Sequence, residues 1–256
     1  MRTLERGRIY ESLDSTQKTM RSWVESELPP ESGAWISCDQ QVAGVGRRGR
    51  SWNSLEGNLF LSIAIRFEEW EKIPYFSIMA GLEIRDWVSS LVSVPVTIKW
   101  PNDIEISNQK LSGLIGESFR AQGQLWVVLG VGLNLVQTPA VPDRQTTALN
   151  AWTKECPSLD EVRLAVAHAV LRAAEKLTIE GFSPERLESV LSFKKGEPIT
   201  WKTSEGEISK GRYWGLTQGG ALRVLLESQE VVTLFNDEVF QVRQNSDSQA
   251  SGESLP

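Results

Sequence analysis

VTIKWPNDIEISNQKLSGLIGESFRAQGQLWVVLGVGLNL, residues 96–135, is the stretch that decides the fold. Its apolar residues fall in four runs, 96–99, 104–107, 111–120 and 125–135, separated by polar turns, the pattern of consecutive strands. No helical segment intervenes, so the sheet is mixed or antiparallel and a Rossmann-type alternation of strand and helix is absent. Outward from this block, 58–67 (NLFLSIAIRF) reads as a longer strand and 34–37 as a short one. Phe76, Met79, Ala80, Ile84, Trp87, Val88 and Leu91 recur at helical spacing over 74–92, with Pro74 tolerated in the first turn. Ser158 with Glu161 forms a capping box before a helix running to about Ile179, where Gly181 stops it and Ser183-Pro184 starts another. Near the beginning, Leu13-Asp14-Ser15-Thr16 precedes Met20, Trp23 and Val24, which predicts hydroxyls capping an amphipathic helix that ends near Pro29.

After Lys195 the texture changes to short β-rich runs at 198–202, 210–216, 221–226, 231–235 and 239–242, joined by turns at 204–206, 218–220 and 227–229. Five short strands with tight turns predict a small barrel. The expected organisation is a catalytic α+β domain over 1–194, a barrel over 195–243 and a polar, disordered tail over 244–256. A chain of 256 residues suits such a division, and 40% apolar with 23% charged residues is ordinary globular usage. With 27 basic against 33 acidic residues the net charge is −6, which argues against non-specific coating of nucleic acid.

The two cysteines, Cys38 and Cys156, cannot make a disulfide framework, so a reducing, cytoplasmic setting is expected. No apolar run approaches the roughly 18 residues needed to span a bilayer, and the N-terminal residues lack a signal peptide's apolar core. A single histidine, His168, lies in a predicted helix without a partner carboxylate or nucleophile at a suitable spacing. It reads as a surface or packing residue, which removes Ser-His-Asp, Cys-His and multi-histidine metal chemistry.

Gly44-Val45-Gly46-Arg47-Arg48-Gly49-Arg50-Ser51-Trp52 satisfies G-x-G-x-x-G, but polar Asp39-Gln40-Gln41 precedes it and a strand, not a helix, follows. Three arginines on a glycine-rich loop make instead a flexible cationic lid with free backbone N–H groups, suited to phosphate. Standing alone, the loop would equally suit a solvated basic turn or a nucleic-acid patch. Asp103 can hold Mg²⁺ or accept a proton, and Lys110 can neutralise a phosphate or polarise a carbonyl. Taken singly, these two would read as a turn aspartate and an exposed strand lysine.

The order Asp14-Ser15-Thr16, Gln41 with GVGRRGRSW at 44–52, KWPND at 99–103, KLSG at 110–113 and GVGLN at 130–134 resembles the biotin protein ligase family, whose members attach biotin to a carrier-protein lysine. The resemblance spans most of the chain. It implies a seven-stranded mixed sheet with helices, similar to class II synthetases, and a C-terminal barrel of SH3-like form. Carried over by position, Ser15, Thr16 and Gln41 match residues that bond the biotin ureido ring, with Gly44 and Gly113 beside them. The 44–50 loop matches the segment that closes over biotin and the adenylate. Arg47, Arg48 and Arg50 are its candidate carboxylate or phosphate contacts, and Lys110 matches the lysine that meets the biotin carboxyl and the α-phosphate. Trp52, Asn102, Asp103 and Asn134 fall at nucleotide- or metal-side positions. Val45 departs from the arginine found in many members.

The implied reaction uses ATP, biotin and Mg²⁺: biotin becomes biotinyl-5′-AMP, and the acyl group then passes to a lysine of a biotin carboxyl carrier protein. Lys110, Arg47 and Asp103 are the expected catalytic residues. Family members often dimerise, and some carry an N-terminal winged helix that binds DNA. The dozen residues before Leu13 are too few for one, so no DNA binding is expected. Two alternatives use the same residues differently. A lipoate or octanoate ligase or transferase shares the fold but needs an apolar tunnel where biotin needs polar partners. A non-catalytic biotin- or nucleic-acid-binding protein would saturate without turning over ATP.

Overall fold

The computed structural model describes residues 1–141, 144–203, 207–236 and 239–244, and the chain divides into two compact units, Met1–Phe182 and Ser183–Pro256. In chain order the first unit contains β1 (Arg2–Leu4), β2 (Gly7–Leu13), α1 (Thr16–Glu25), β3 (Trp35–Gln41), β4 (Leu59–Phe67) and α2 (Ile73–Leu91). The 96–135 stretch then folds as β5 (Val96–Lys99), β6 (Asp103–Ile106), β7 (Gln109–Ala121) and β8 (Gln124–Leu133), and α3 (Leu159–Ile179) follows. The eight strands are ordered β1-β2-β3-β4-β8-β7-β6-β5. Only β2 and β3 run parallel, so the sheet is mixed, as expected.

Eight strands replace the seven implied by resemblance because Arg2–Leu4 folds back on β2. The N-terminal residues had carried no predicted element. Their apolar positions are few, and pairing with neighbours, rather than pattern, makes them strands.

Alternation along single strands sets the layers. Ile36 packs with Met20 and Val24 of α1, whereas the next residue, Ser37, accepts a hydrogen bond from Arg163 of α3 at 3.0 Å. Glu117 pairs with Arg21 of α1, whereas the neighbouring Gly116 lies against Ser77 of α2. Helix α1 therefore covers one face, and α2 and α3 cover the other. Strand β4, covered on both, is buried at every position but Arg66. The capping box forms as predicted: Glu161 N–H donates to Ser158 Oγ, and Ser158 N–H donates to Glu161 Oε2. His168 sits exposed on α3, 3.0 Å from the Glu5 carboxylate.

Two local expectations are corrected. Helix α1 ends at Glu25, short of Pro29, and Ser15 occupies its N-cap position without capping it. The hydroxyl turns inward instead, a displacement taken up below.

The second unit contains α4 (Pro184–Glu188), β9 (Pro198–Thr203), β10 (Ile208–Leu216), β11 (Leu222–Leu225), β12 (Val231–Leu234) and β13 (Val239–Gln244). The strands form an antiparallel sheet in the order β12-β11-β10-β9-β13. Its core includes Ile199, Trp201, Tyr213, Leu222 and Val224. The contacts divide the chain about a dozen residues before the expected boundary at Lys194. Tyr213 explains why: its hydroxyl donates to Glu188 at 2.8 Å and its ring meets Phe193 edge-on, tying 184–193 to the small sheet. Gln244, placed in the tail by the sequence reading, ends β13, while the rest of that tail and the 204–206 turn lie outside the described residues.

Candidate active site

The sheet register lines up Asp103, Gly113, Gly132 and Phe60 as successive partners across β6, β7, β8 and β4. Two adjacent glycines on one row leave a trough. A Cβ at Gly132 would lie 2.4 Å from the Trp52 ring, and one at Gly113 would lie 2.8 Å from Lys110 Nζ and 3.0 Å from Asp103 Oδ1. The glycines of KLSG and GVGLN are thus the space in which Trp52, Lys110 and Asp103 sit.

A bulge aims Lys110 into that trough. Ile104 pairs with Ser112 but Glu105 pairs with Lys110, so Leu111 is the extra residue. Without it Lys110 would point to the opposite face, because side chains alternate along a strand. Lys110 Nζ stands 2.7 Å from Asp103 Oδ1 and 5.0 Å from the centre of the Trp52 ring. Arg144 closes the cluster: it pairs with Asp103 Oδ2 and, at 2.7 Å, with Glu105 Oε1. Lys99 Nζ lies 3.7 Å from the same Glu105 oxygen.

The charges are set by opposing causes. Burial disfavours the Asp103 carboxylate, but Lys110 and Arg144 outweigh it and hold the group well below the usual carboxylate range. Burial pulls Lys110 downward too. Asp103 opposes that shift, while Arg144 and Arg50 reinforce it. Asp103 is accordingly a weak base. Both its oxygens face cations, and among the described residues no three His, Cys, Asp or Glu side chains converge as a metal site.

Beside the cluster lies an uncharged floor. Gln41 Oε1 accepts from Thr16 N–H at 2.9 Å and from Thr16 Oγ1 at 3.2 Å, and Gln41 Nε2 donates to Ser54 Oγ at 3.2 Å. Ser62 Oγ lies 2.9 Å from Thr16 Oγ1 and 3.1 Å from Gln17 Oε1, and Gln17 Nε2 donates to Val128 O at 2.9 Å. With its carbonyl engaged by Thr16, Gln41 can offer a ligand only an N–H. Ser15 Oγ is buried with no partner among the described residues.

The glycine-rich loop joins the two halves. Trp52 N–H donates to Gly44 O and Gly46 N–H to Arg50 O, which closes 44–52 into a small hairpin with one 3-10 turn at Arg47–Gly49. Arg47 Nη1 donates to Asn102 Oδ1 at 3.0 Å, and Asn102 Nδ2 donates to Leu114 O at 2.7 Å. Arg50 is exposed, and the Arg48 side chain lies outside the described residues.

The expected residues therefore gather into one region, with one displaced inward. Asn134 is buried, and its Nδ2 bonds Thr147 O at 3.0 Å beneath Lys110, so here it braces backbone. Sequence reasoning missed Arg144, Glu105, Gln17 and Ser62. Ser62 could have been noticed as the one hydroxyl inside the apolar run of β4. Arg144 belongs to no motif and meets Asp103 only through folding.

Residues 10–134 match the biotin/lipoate A/B protein ligase family. The chain is 33% identical over 216 residues to the biotin–acetyl-CoA-carboxylase ligase of Mycobacterium tuberculosis, covering 80% of this chain and 70% of that one. It is 32% identical over 231 residues to the bifunctional ligase/repressor BirA of Bacillus subtilis, covering 86% and 69%. The structure of biotin protein ligase from Aquifex aeolicus in complex with biotin and ATP superposes with a TM-score of 0.77 at 25% identity, over 93% of this chain and 99% of that one. Together with the trough, the charged cluster and the polar floor, these similarities establish that the chain belongs to the biotin/lipoate A/B protein ligase family.

Proposed function

We propose that this protein activates biotin with MgATP as biotinyl-5′-AMP and transfers the biotinyl group to a lysine of a biotin carboxyl carrier domain. The observation that carries the choice of substrate is Ser15 Oγ, buried with no partner among the described residues beside a floor of Thr16, Gln41 and Ser62. A buried hydroxyl left unsatisfied costs about 1–3 kcal/mol, so the site is organised for a neutral polar ligand head. The biotin ureido group, with N–H donors and a carbonyl acceptor, meets that description. A lipoyl or octanoyl chain would leave the Ser15 hydroxyl orphaned, which disfavours the second enzyme of this family as a reading.

Mechanism follows from charge. A carboxylate attacking the α-phosphate brings anion onto anion, and the trough supplies Lys110 where negative charge accumulates, with Arg47 and Arg50 in the loop above. Carboxylate oxygen bonds to the α-phosphorus and pyrophosphate leaves. In the second step the neutral carrier amine attacks the mixed anhydride, the acyl–oxygen bond breaks, AMP departs, the amine gives up one proton to the departing phosphate or to solvent, and an amide forms. Asp103, held ionised by its two cations, orients that amine better than it deprotonates it. Water would attack the same anhydride, so closure of the 44–50 loop protects the intermediate.

The test is mass measurement of a purified biotin-carrier domain after incubation with the protein, biotin and MgATP. A gain of one biotinyl group is expected. No gain on several carriers, or equal transfer of lipoate, would overturn the reading.

A further inference from the structure

Arg144 is the member of the charged cluster that neither motif nor reaction scheme accounts for. Its guanidinium spans two carboxylates, Asp103 and Glu105, that stand two residues apart on β6. A planar fork with several N–H groups reaches both, whereas a lysine ammonium would cover one. The backbone around it is clipped to Lys110 itself: Lys110 N–H donates to Gln145 O at 3.0 Å, and Thr147 N–H donates to Lys110 O at 2.9 Å. The lysine that pairs with Asp103 and the arginine that shares that carboxylate are therefore held by one piece of scaffold.

The geometry points to Arg144 as a positioning residue that keeps Asp103 neutralised while Lys110 leaves it for an anionic group of the substrate. This inference rests on the reading of Lys110 as the cation that meets the reacting carboxylate and phosphate. To do so, Nζ must give up a 2.7 Å contact with Asp103. In a largely buried site, breaking a pair leaves an uncompensated charge, and that cost opposes the exchange. With Arg144 on the other oxygen the carboxylate is compensated before and after, and the lysine is released to the ligand. The other charged groups acting on Lys110 point the same way: Glu105, its partner across β6, is held by Arg144 and Lys99, and Arg50 of the loop is a like charge.

Two measurements on the full chain test the assignment. The first is a double-mutant cycle on biotin-dependent pyrophosphate release, which reads adenylate formation alone. Arg144→Gln should slow it at least tenfold, and in an Asp103→Asn background the same substitution should cost at least fivefold less, because no carboxylate remains to hold the lysine. Equal penalties in the two backgrounds would overturn the proposal. The second needs no turnover: competitive acetylation of Lys110 by acetic anhydride across pH, read by mass spectrometry. Arg144→Gln removes a like charge and leaves Asp103 to Lys110, so the lysine should titrate higher and label more slowly at a given pH. An unchanged labelling profile would overturn the coupling. If wild-type protein releases no pyrophosphate with biotin and MgATP, the functional reading fails, and the labelling still judges Arg144. Should Arg144→Gln fail to fold, Arg144→Met, which also removes the charge, replaces it in both measurements with the same expected directions.

Discussion

The floor around Thr16 and the cluster around Lys110 adjoin the same loop but are built on opposite principles. On the floor, Ser62, Thr16, Gln17, Gln41 and Ser54 are neutral and satisfy one another, so that few hydrogen-bonding positions remain for a ligand. In the cluster, Lys99, Lys110 and Arg144 face Asp103 and Glu105, charge against charge. Neutral partners discriminate shape and polarity without favouring any protonation state, whereas paired buried charges hold one another ionised and can exchange a carboxylate for an anionic ligand. On the proposed function, recognition of a substrate head and stabilisation of developing charge are thereby separated in space, and a substitution in one half should leave the other half's task intact.

The largest effect should come from the cluster. Lys110→Ala removes the cation proposed to meet the reacting phosphate and is expected to lower adenylate formation by about 100- to 1000-fold, the scale of losing one donor to developing charge. Transfer from supplied biotinyl-5′-AMP should fall far less. Measuring the two half-reactions separately checks this, and equal losses would erase the distinction between the halves.

Arg47→Gly probes the loop between them. Its bond to Asn102 ties the loop to the turn before β6, and a charge-assisted hydrogen bond is worth about 1.5–3 kcal/mol, or roughly 10- to 150-fold in escape of the intermediate. The variant should still make biotinyl-5′-AMP but lose it early. Counting biotin on an unrelated lysine-rich protein by mass tests this, and wild-type selectivity would assign retention to another residue.

The floor should respond more gently. Thr16→Val deletes one hydroxyl while the Thr16 N–H still bonds Gln41, and Ser62 keeps Gln17 as an acceptor. A net loss of about 0.5–1.5 kcal/mol raises the KM for biotin roughly 2- to 12-fold at unchanged kcat. A fall in kcat as large as that for Lys110→Ala would contradict the separation.

The smallest effect concerns pH, and it sharpens the contrast most directly. Burial lowers the Lys110 titration against the pull of Asp103. A cation is needed for adenylate formation, so the rate should hold at neutral pH and fall on the alkaline side, earlier than an ordinary lysine would allow. Asp103, held well below the usual carboxylate range by Lys110 and Arg144, should add no acid limb near neutral pH. The ratio of biotin KM values between Thr16→Val and wild type should stay flat over the same range.

Much of this was legible in the chain. Alternation and turn residues marked β4 to β8, helical spacing marked α2 and α3, and Ser158 with Glu161 marked a cap that forms as read. The motif residues Lys110, Asp103, Arg47 and Gln41 were each visible because residue type and order carried them. What failed did so for non-local reasons. Strand β1 exists because β2 offers it a partner, and residues 184–193 join the small sheet because Tyr213 reaches back to Glu188. Ser15 looked like a cap because a hydroxyl before a helix ordinarily is one.

By itself the sequence determined the types of most elements, the mixed sheet and the motif residues Lys110, Asp103, Arg47 and Gln41 as candidates, since periodicity and side-chain chemistry are local properties. Tertiary structure alone decided how those residues divide the work. A one-residue bulge turns Lys110 toward Asp103, two glycines on neighbouring strands open the trough above them, and Arg144 arrives from 41 positions away to share a carboxylate. Register and chain return bring such residues together, and neither is written in any short stretch, because each depends on which distant strand becomes a neighbour.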